Sequence, residues 1–146
     1  MGDPWIGIGA ALSMTVGNLI ALRQTNVVRL MAYSGVAQTG FMIAPLAVAG
    51  HSSTSGDQAL SAVVTYLAIY TAMNLGAFAV IIALARKTGS ADVTSFAGAF
   101  HYAPGLTVAM TIFLFSLAGI PPLGGWFAKF EVFRVLATAG EPWGYV

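Results

Sequence analysis

The sequence predicts an all-α transmembrane protein with about four membrane helices, the last of them discontinuous. The first observation is composition: 58% of the 146 residues are hydrophobic and only 8% are charged, whereas a soluble domain carries about 25% charged residues. The second is that charged residues divide the chain into apolar stretches near the roughly 20-residue length of a membrane span. The third is a group of prolines and glycines inside the last stretch, which predicts a helix break.

The first three spans follow from where the charges fall. Pro4–Leu22 contains no Asp, Glu, Lys or Arg and is predicted to be the first helix. Val27 to about Val48 is predicted to be the second, ending in a polar turn over residues 49–57. Gln58–Ala85 is predicted to be the third. The whole chain, residues 1–146, is thus expected to form a single membrane domain.

The fourth apolar stretch runs from Pro104 to about Ala139. A straight helix of that length would measure on the order of 50 Å, whereas the hydrocarbon core is about 30 Å thick. The segment must therefore break, tilt or double back, and broken helices in membranes line cavities or are buried in protein. The residues predicted to form the break are Gly119, Pro121, Pro122, Gly124 and Gly125.

Basic residues predict the orientation of the spans. Arg23 and Arg29 flank the first loop, and Arg86 and Lys87 begin the third, whereas the second loop has neither Lys nor Arg. By the positive-inside rule the first and third loops are cytoplasmic and both chain ends lie outside.

Composition also excludes several classes of protein. The chain has no cysteine, which excludes disulfides, thiolate metal sites and iron–sulfur clusters within it. The two histidines are far apart in sequence and do not suggest a metal site. A net charge of +1 without a basic run argues against nucleic acid as a partner. No glycine-rich phosphate loop follows a strand, and no NADH, flavin or quinone site is predicted in this chain. The first residues lack a basic region, so no cleavable signal peptide is predicted.

Lys129 is the candidate catalytic residue, as a proton relay. It comes just after the predicted break and is followed by about ten mostly apolar residues. A charge within the membrane costs roughly 3 kcal/mol on insertion scales and usually marks an ion or proton path. An amine in a low-dielectric environment can also exchange its proton near neutral pH.

Two structural explanations of Lys129 compete with the relay. The lysine could extend its amine to the headgroups while its stem lies in lipid, or it could pair with Glu131. Residues two apart on a helix do not face each other, so Glu131 is predicted to pair with Arg134 instead. Lys129 is then left without an obvious partner, and we favour the relay.

Polar residues inside the spans are candidates for positioning water along a proton path. Ser34 and Gln38 lie one turn apart on the second helix, and Tyr66, Tyr70 and Asn74 share a face of the third. Each, taken singly, is better explained by interhelical hydrogen bonding, worth about 0.6 kcal/mol. The alternative is a hydrated path in which Ser34, Gln38, Tyr70 and Asn74 position water.

Two runs of sequence are distinctive: residues 17–34, GNLIALRQTNVVRLMAYS, and residues 116–130, SLAGIPPLGGWFAKF. The first resembles a helix–loop–helix, and the second resembles the later broken helix, of the antiporter-like membrane subunits of the proton-pumping NADH–quinone oxidoreductase, respiratory complex I. Within that family, the amino-acid sequence of residues 17–34 is most similar to that of the subunit N group. Sodium/proton antiporters are related to the same family.

The resemblance implies a function and a setting. Lys129 would occupy the position of the family's lysine on the later broken helix, in the central polar axis of the membrane arm. The helices would belong to the second of two inverted repeats, and the chain would be a C-terminal portion of a longer subunit. That subunit would translocate protons across a bacterial inner membrane, driven by quinone reduction elsewhere in the complex. Its partners would be other membrane-arm subunits, the lipid bilayer and protons; NADH, flavin, iron–sulfur clusters and quinone would be bound by other subunits, with no cofactor in this chain.

The chain departs from the family pattern at two positions. Val28 precedes Arg29 where the family commonly has a second basic residue, and Gln38 stands where the family often has histidine. Glutamine holds water but cannot titrate, and Glu131 matches no family motif. Two alternatives stay open: a subunit of a multisubunit cation/proton antiporter, and a truncated fragment that transports nothing.

Overall fold

The computed structural model describes residues 4–49 and 53–138, with side chains in the second range from residue 56 onward. Within these ranges the chain is almost entirely helical, and an isolated bridge between Asn26 and Asp92 is the extent of its β structure. The helices are α1 (Pro4–Ala21), α2 (Val27–Ile43), α3 (Ser53–Thr88), α4 (Ala99–Tyr102), α5 (Pro104–Ala118) and α6 (Gly124–Thr138), with 3-10 turns at Ala44–Ala47 and Val93–Phe96.

Helices α1 and α2 form a tightly packed pair joined by the first loop. A Cβ atom added to Gly17 would lie 2.8 Å from the backbone nitrogen of Ala37, and one added to Gly40 would lie 2.7 Å from the carbonyl oxygen of Ala10. Such distances mean that the two backbones approach each other directly, as small residues allow between membrane helices.

The start of α2 is fixed by a side-chain cap. Asn26 adopts an extended conformation, and its Oδ1 accepts hydrogen bonds from the backbone N–H groups of Val28, at 3.0 Å, and Arg29, at 3.3 Å. These are two of the four N–H groups that lack a partner in the first turn of any helix.

Replacing Asn26 with alanine is expected to destabilise the full-length subunit by about 1 kcal/mol, because both N–H groups lose their side-chain acceptor. The melting temperature of the subunit in detergent measures this loss. Thr25→Ala, at the exposed neighbouring position, is the matched control and should melt like the wild type. Equal melting temperatures for the two variants would contradict a capping role.

The polar turn predicted after α2 is shorter than expected. The third helix begins at Ser53 and extends for 36 residues, so residues 53–57, predicted to be loop, form its first turns. Serine, threonine and aspartate favour the start of a helix as well as a loop, and hydropathy alone does not separate the two. His51, also placed in this turn, lies outside the described residues.

The second helix also ends earlier than predicted. Its α-helical part stops at Ile43, and Ala44–Ala47 continues as a 3-10 turn with Pro45 near its start. Proline lacks an N–H group and cannot continue the α-helical hydrogen-bond ladder, which explains the change at this point.

The predicted discontinuity in the last apolar stretch is confirmed. Helices α5 and α6 have 15 residues each and are separated by residues 119–123. Two helices in the described ranges are long and apolar enough to cross a membrane, Pro4–Ala21 and Gly56–Thr88, and Pro104–Ala118 is a shorter apolar helix. The count of about four membrane helices, and the inverted repeat, stay predictions.

Candidate functional site

The end of α5 is closed by a turn centred on Gly119. This residue has φ +89°, and its N–H donates to the carbonyl oxygen of Ser116 at 3.0 Å, while the N–H of Ile120 donates to that of Phe115 at 3.1 Å. The pair of bonds is a Schellman motif, which needs a left-handed residue and favours glycine. It gives partners to two of the last four carbonyls of α5, while the final two have no backbone donor among the described residues.

The side chain of Lys129 donates hydrogen bonds to those final two carbonyls. Its Nζ donates to the carbonyl oxygen of Leu117 at 3.1 Å and to that of Ala118 at 3.0 Å. Both oxygens lie at the C-terminal end of α5, where the helix dipole carries partial negative charge and favours a cation. The amine also lies 4.9 Å from the ring centroid of Phe41, a distance typical of a cation–π contact.

The surroundings of Lys129 correct one prediction and confirm another. The lysine, predicted to lack a partner, has two backbone acceptors that a sequence pattern cannot display. Glu131 pairs with Arg134 at 3.0 Å, as predicted. Within residues 4–49 and 56–138 no carboxylate forms an ion pair with Lys129, so its charge is balanced by dipoles and a ring.

Gln38 reaches the same break from α2. Its Nε2 donates to the carbonyl oxygen of Leu117 at 3.2 Å, so this oxygen is shared with Lys129. The hydroxyl of Tyr66, on α3, donates to Oε1 of Gln38. Gln38 and Tyr66 are 7% and 1% exposed, so both groups depend on each other for hydrogen bonding. The spacing of polar residues predicts that Tyr66 lies on the polar face of the third helix, but Tyr66 is not among the residues predicted to position water.

The first turn of α6 is anchored to the last turn of α5. The N–H of Gly125 donates to Oγ of Ser116 at 3.1 Å, and that hydroxyl lies 2.6 Å from Sδ of Met73 on α3. A Cβ atom on Gly125 would lie 1.7 Å from the carbonyl oxygen of Ser116, and one on Gly124 would lie 3.2 Å from Ile69. Glycine is therefore required at position 125, where α6 starts against α5, whereas a Cβ atom at position 124 would only press on the side chain of Ile69.

The remaining residues predicted for the break lie in the connecting turn. Pro121 and Pro122 are exposed and are joined by a cis peptide bond. A Cβ atom on Gly119 would lie 2.9 Å from Cδ of Lys129, so the absence of a side chain there leaves room for the lysine stem.

The three other predicted polar residues are not hydrogen-bonded to Lys129 in the described part of the chain. Ser34 lines an open cleft of about 410 Å³ together with Asn18 at the end of α1. The hydroxyl of Tyr70 lies 3.0 Å from where a Cβ atom on Gly35 would be, so it packs against α2. Oδ1 of Asn74 is buried, and none of the described residues donates a hydrogen bond to it; a buried water satisfies this kind of group. Their roles in positioning water stay predictions.

The chain has long apolar helices, and a helix break at which a lysine amine binds backbone carbonyls. These are features of a membrane transport protein. The chain belongs to the NADH:quinone oxidoreductase/Mrp antiporter transmembrane family, whose family model matches residues 3–146. It is thus a membrane protein, and the family resemblance drawn from the two sequence runs is confirmed.

Curated relatives agree with this membership. The chain is 46% identical over 142 residues to NADH-quinone oxidoreductase subunit N of Brevibacillus brevis, covering 97% of the chain and 27% of the relative. It is 40% identical over 149 residues to subunit N of an Anaeromyxobacter species, covering 97% and 28%. Subunit N of Geobacillus kaustophilus is 40% identical over 144 residues, covering 99% and 28%. The chain spans little more than a quarter of the length of these relatives.

Proposed function

We propose that this chain is part of a proton-translocating membrane subunit of NADH:quinone oxidoreductase in a bacterial inner membrane, with Lys129 as its proton relay. The observation that carries the proposal is the position of the Lys129 amine, which lies at a helix break on two backbone carbonyls. A lysine placed inside an apolar helical bundle without a carboxylate partner is costly to keep charged. That cost makes it suited to giving up a proton.

The geometry supports a simple relay. In the charged form the amine is stabilised by two carbonyl oxygens at a helix C-terminus and by the ring of Phe41. Hydrogen bonds from an ammonium to neutral acceptors are weaker than those to a carboxylate. The charged and neutral forms therefore differ less in free energy than in an ion pair, and a shift in a neighbouring charge can tip the balance. Lys129 takes up a proton from one side and passes it toward the outer face.

Water would connect Lys129 to the rest of the path. Gln38, Ser34, Tyr70 and Asn74 are the residues proposed to position it. Oδ1 of Asn74 supports this role, because it is buried and has no hydrogen-bond donor among the described residues. So does the amide of Gln38, since its NH₂ carries two N–H groups and donates one hydrogen bond, to Leu117, within the described residues.

The same proposal assigns the setting of the chain. The exposed large apolar side chains, such as Trp5, Leu22 and Leu75 at 77%, 83% and 66% exposure, suit contact with lipid or with other membrane-arm helices. We assign the second span to α2 and the 3-10 turn after it, and the fourth to α5 and α6 together, within the second of two inverted repeats. NADH, flavin, iron–sulfur clusters and quinone would belong to other subunits.

A cation/proton antiporter subunit is the second candidate, because the matched family includes both oxidoreductase subunits and antiporters. A fragment that transports nothing is the third, since the chain covers 27% of the relative from Brevibacillus brevis. Neither the antiporter subunit nor the fragment is expected to move protons in response to NADH, as an oxidoreductase subunit would.

A native gel of membranes carrying the tagged full-length subunit, stained for NADH oxidation, tests the proposal. We expect the tag to migrate with the large band that oxidises NADH. Migration in a smaller band, together with sodium-dependent growth, would favour the antiporter subunit. A tagged product that enters no large assembly and gives no cation-dependent growth would favour the fragment.

A further inference from the structure

The orientation of the Gln38 amide is determined by its neighbours. The carbonyl oxygen of Leu117 can only accept a hydrogen bond, so the amide group 3.2 Å from it must be the NH₂ of Gln38. Oε1 of Gln38 then faces the hydroxyl of Tyr66, which must act as the donor. The Leu117 carbonyl thus sets the orientation of the amide, and the hydrogen bond that the Tyr66 hydroxyl donates to Oε1 stabilises the amide in that orientation.

This orientation limits where the Lys129 amine can bind. A carbonyl oxygen has two lone pairs, and Gln38 occupies one of those on Leu117. The amine is left with the other lone pair and with the carbonyl of Ala118. If the amide were reversed, its oxygen would face the Leu117 carbonyl, and the amine bound to that same carbonyl would have a competing acceptor on the side of α2.

We propose that Tyr66 is a positioning residue for Lys129 and acts through Gln38. Its hydroxyl keeps the amide of Gln38 as a donor to the Leu117 carbonyl, and this confines the Lys129 amine to the side of the carbonyls near Ala118. The inference rests on the proposed function, because it concerns the residue that carries the proton. Tyr66 itself exchanges no proton in this scheme.

Variants of Tyr66 and Gln38 in the full-length subunit, assembled in the complex, test the proposal by protons pumped per NADH in inverted membrane vesicles. We expect Tyr66→Phe to lower this ratio severalfold while the complex still oxidises NADH. Gln38→Met keeps the size of the side chain but not its hydrogen bonds, and should lower the ratio to a similar level. The double variant should be no worse than Gln38→Met, because Tyr66 acts through Gln38.

Gln38→His separates positioning from packing. Neutral imidazole offers one acceptor and one donor, so it can accept from Tyr66, donate to Leu117 and retain most of the pumping that Gln38→Met loses. If Gln38 only filled space, methionine would serve at least as well as histidine. Tyr102→Phe, which removes an exposed hydroxyl away from the break, is the matched control and should pump normally.

The outcomes separate this inference from the proposed function. Normal pumping by Tyr66→Phe, or equal pumping by Gln38→His and Gln38→Met, overturns the positioning role while Lys129→Met still loses pumping. Normal pumping by Lys129→Met overturns the relay and the positioning role together. If Tyr66→Phe does not assemble, the comparison of the two Gln38 variants decides.

Discussion

Replacement of Lys129 with methionine is expected to reduce the protons pumped per NADH severalfold. Methionine is similar in length to the lysine stem but carries no exchangeable proton, so the proposed proton path would be interrupted at the break. The two carbonyls at the end of α5 lose their donor from α6, although that of Leu117 keeps its bond from Gln38. The measurement is the ratio of proton uptake to NADH oxidation in inverted vesicles that carry the full-length variant.

Two further variants distinguish a relay from a structural cation. Arginine keeps the charge but does not release its proton in proteins, so Lys129→Arg should lose pumping as methionine does. A purely structural cation would allow arginine to work. Lys87→Met, at the exposed end of α3, removes a lysine elsewhere and should pump like the wild type. Normal pumping by Lys129→Met would exclude the relay.

Replacement of Gly125 with alanine is expected to destabilise the subunit by more than about 3 kcal/mol, beyond the usual range for an overpacked site. The added Cβ atom would lie 1.7 Å from the carbonyl oxygen of Ser116, which is a backbone atom and cannot rotate away. Helices α5 and α6 would have to separate, and the bond from the Gly125 N–H to Ser116 Oγ would be lost with them. The amount of full-length subunit in membranes and its melting temperature measure the effect.

Gly9→Ala is the matched control for this variant. A Cβ atom on Gly9, inside α1, meets nothing within 4 Å. Alanine favours a helix over glycine by about 1 kcal/mol, so this variant should be as stable as the wild type or slightly more stable. Wild-type levels and melting temperature for Gly125→Ala would show that the two helices do not meet as described.

Local chemistry explains what the sequence could predict. Pro4 and Pro104 open helices because proline suits a first turn, where its missing N–H is not needed. The prolines and glycines of residues 119–125 interrupt the last helix for the converse reason. The pair of Glu131 and Arg134 follows from helical spacing. Each of these features depends on residues a few positions apart.

Such local patterns do not predict the hydrogen-bond partners of Lys129. These partners are backbone oxygens, present at every residue, and the turn at Gly119 decides which two of them are open to a side-chain donor. The contact between Tyr66 and Gln38 joins two helices, so it depends on their packing and not on the spacing within either. The early end of α2 was accessible to sequence reasoning, since Pro45 marks it, but hydropathy outweighed that signal.

An amine site made of main-chain oxygens has a consequence for how the protein can change. Substitution at positions 117 and 118 changes the side chains but does not remove the backbone oxygens that bind Lys129. These positions can therefore vary without loss of the amine site. The exposed side chain of Ala118 offers the most freedom, and that of Leu117 is limited by its packing. An engineer who wishes to move the amine would therefore alter the chain path at Gly119, where one added side chain meets the lysine stem at 2.9 Å.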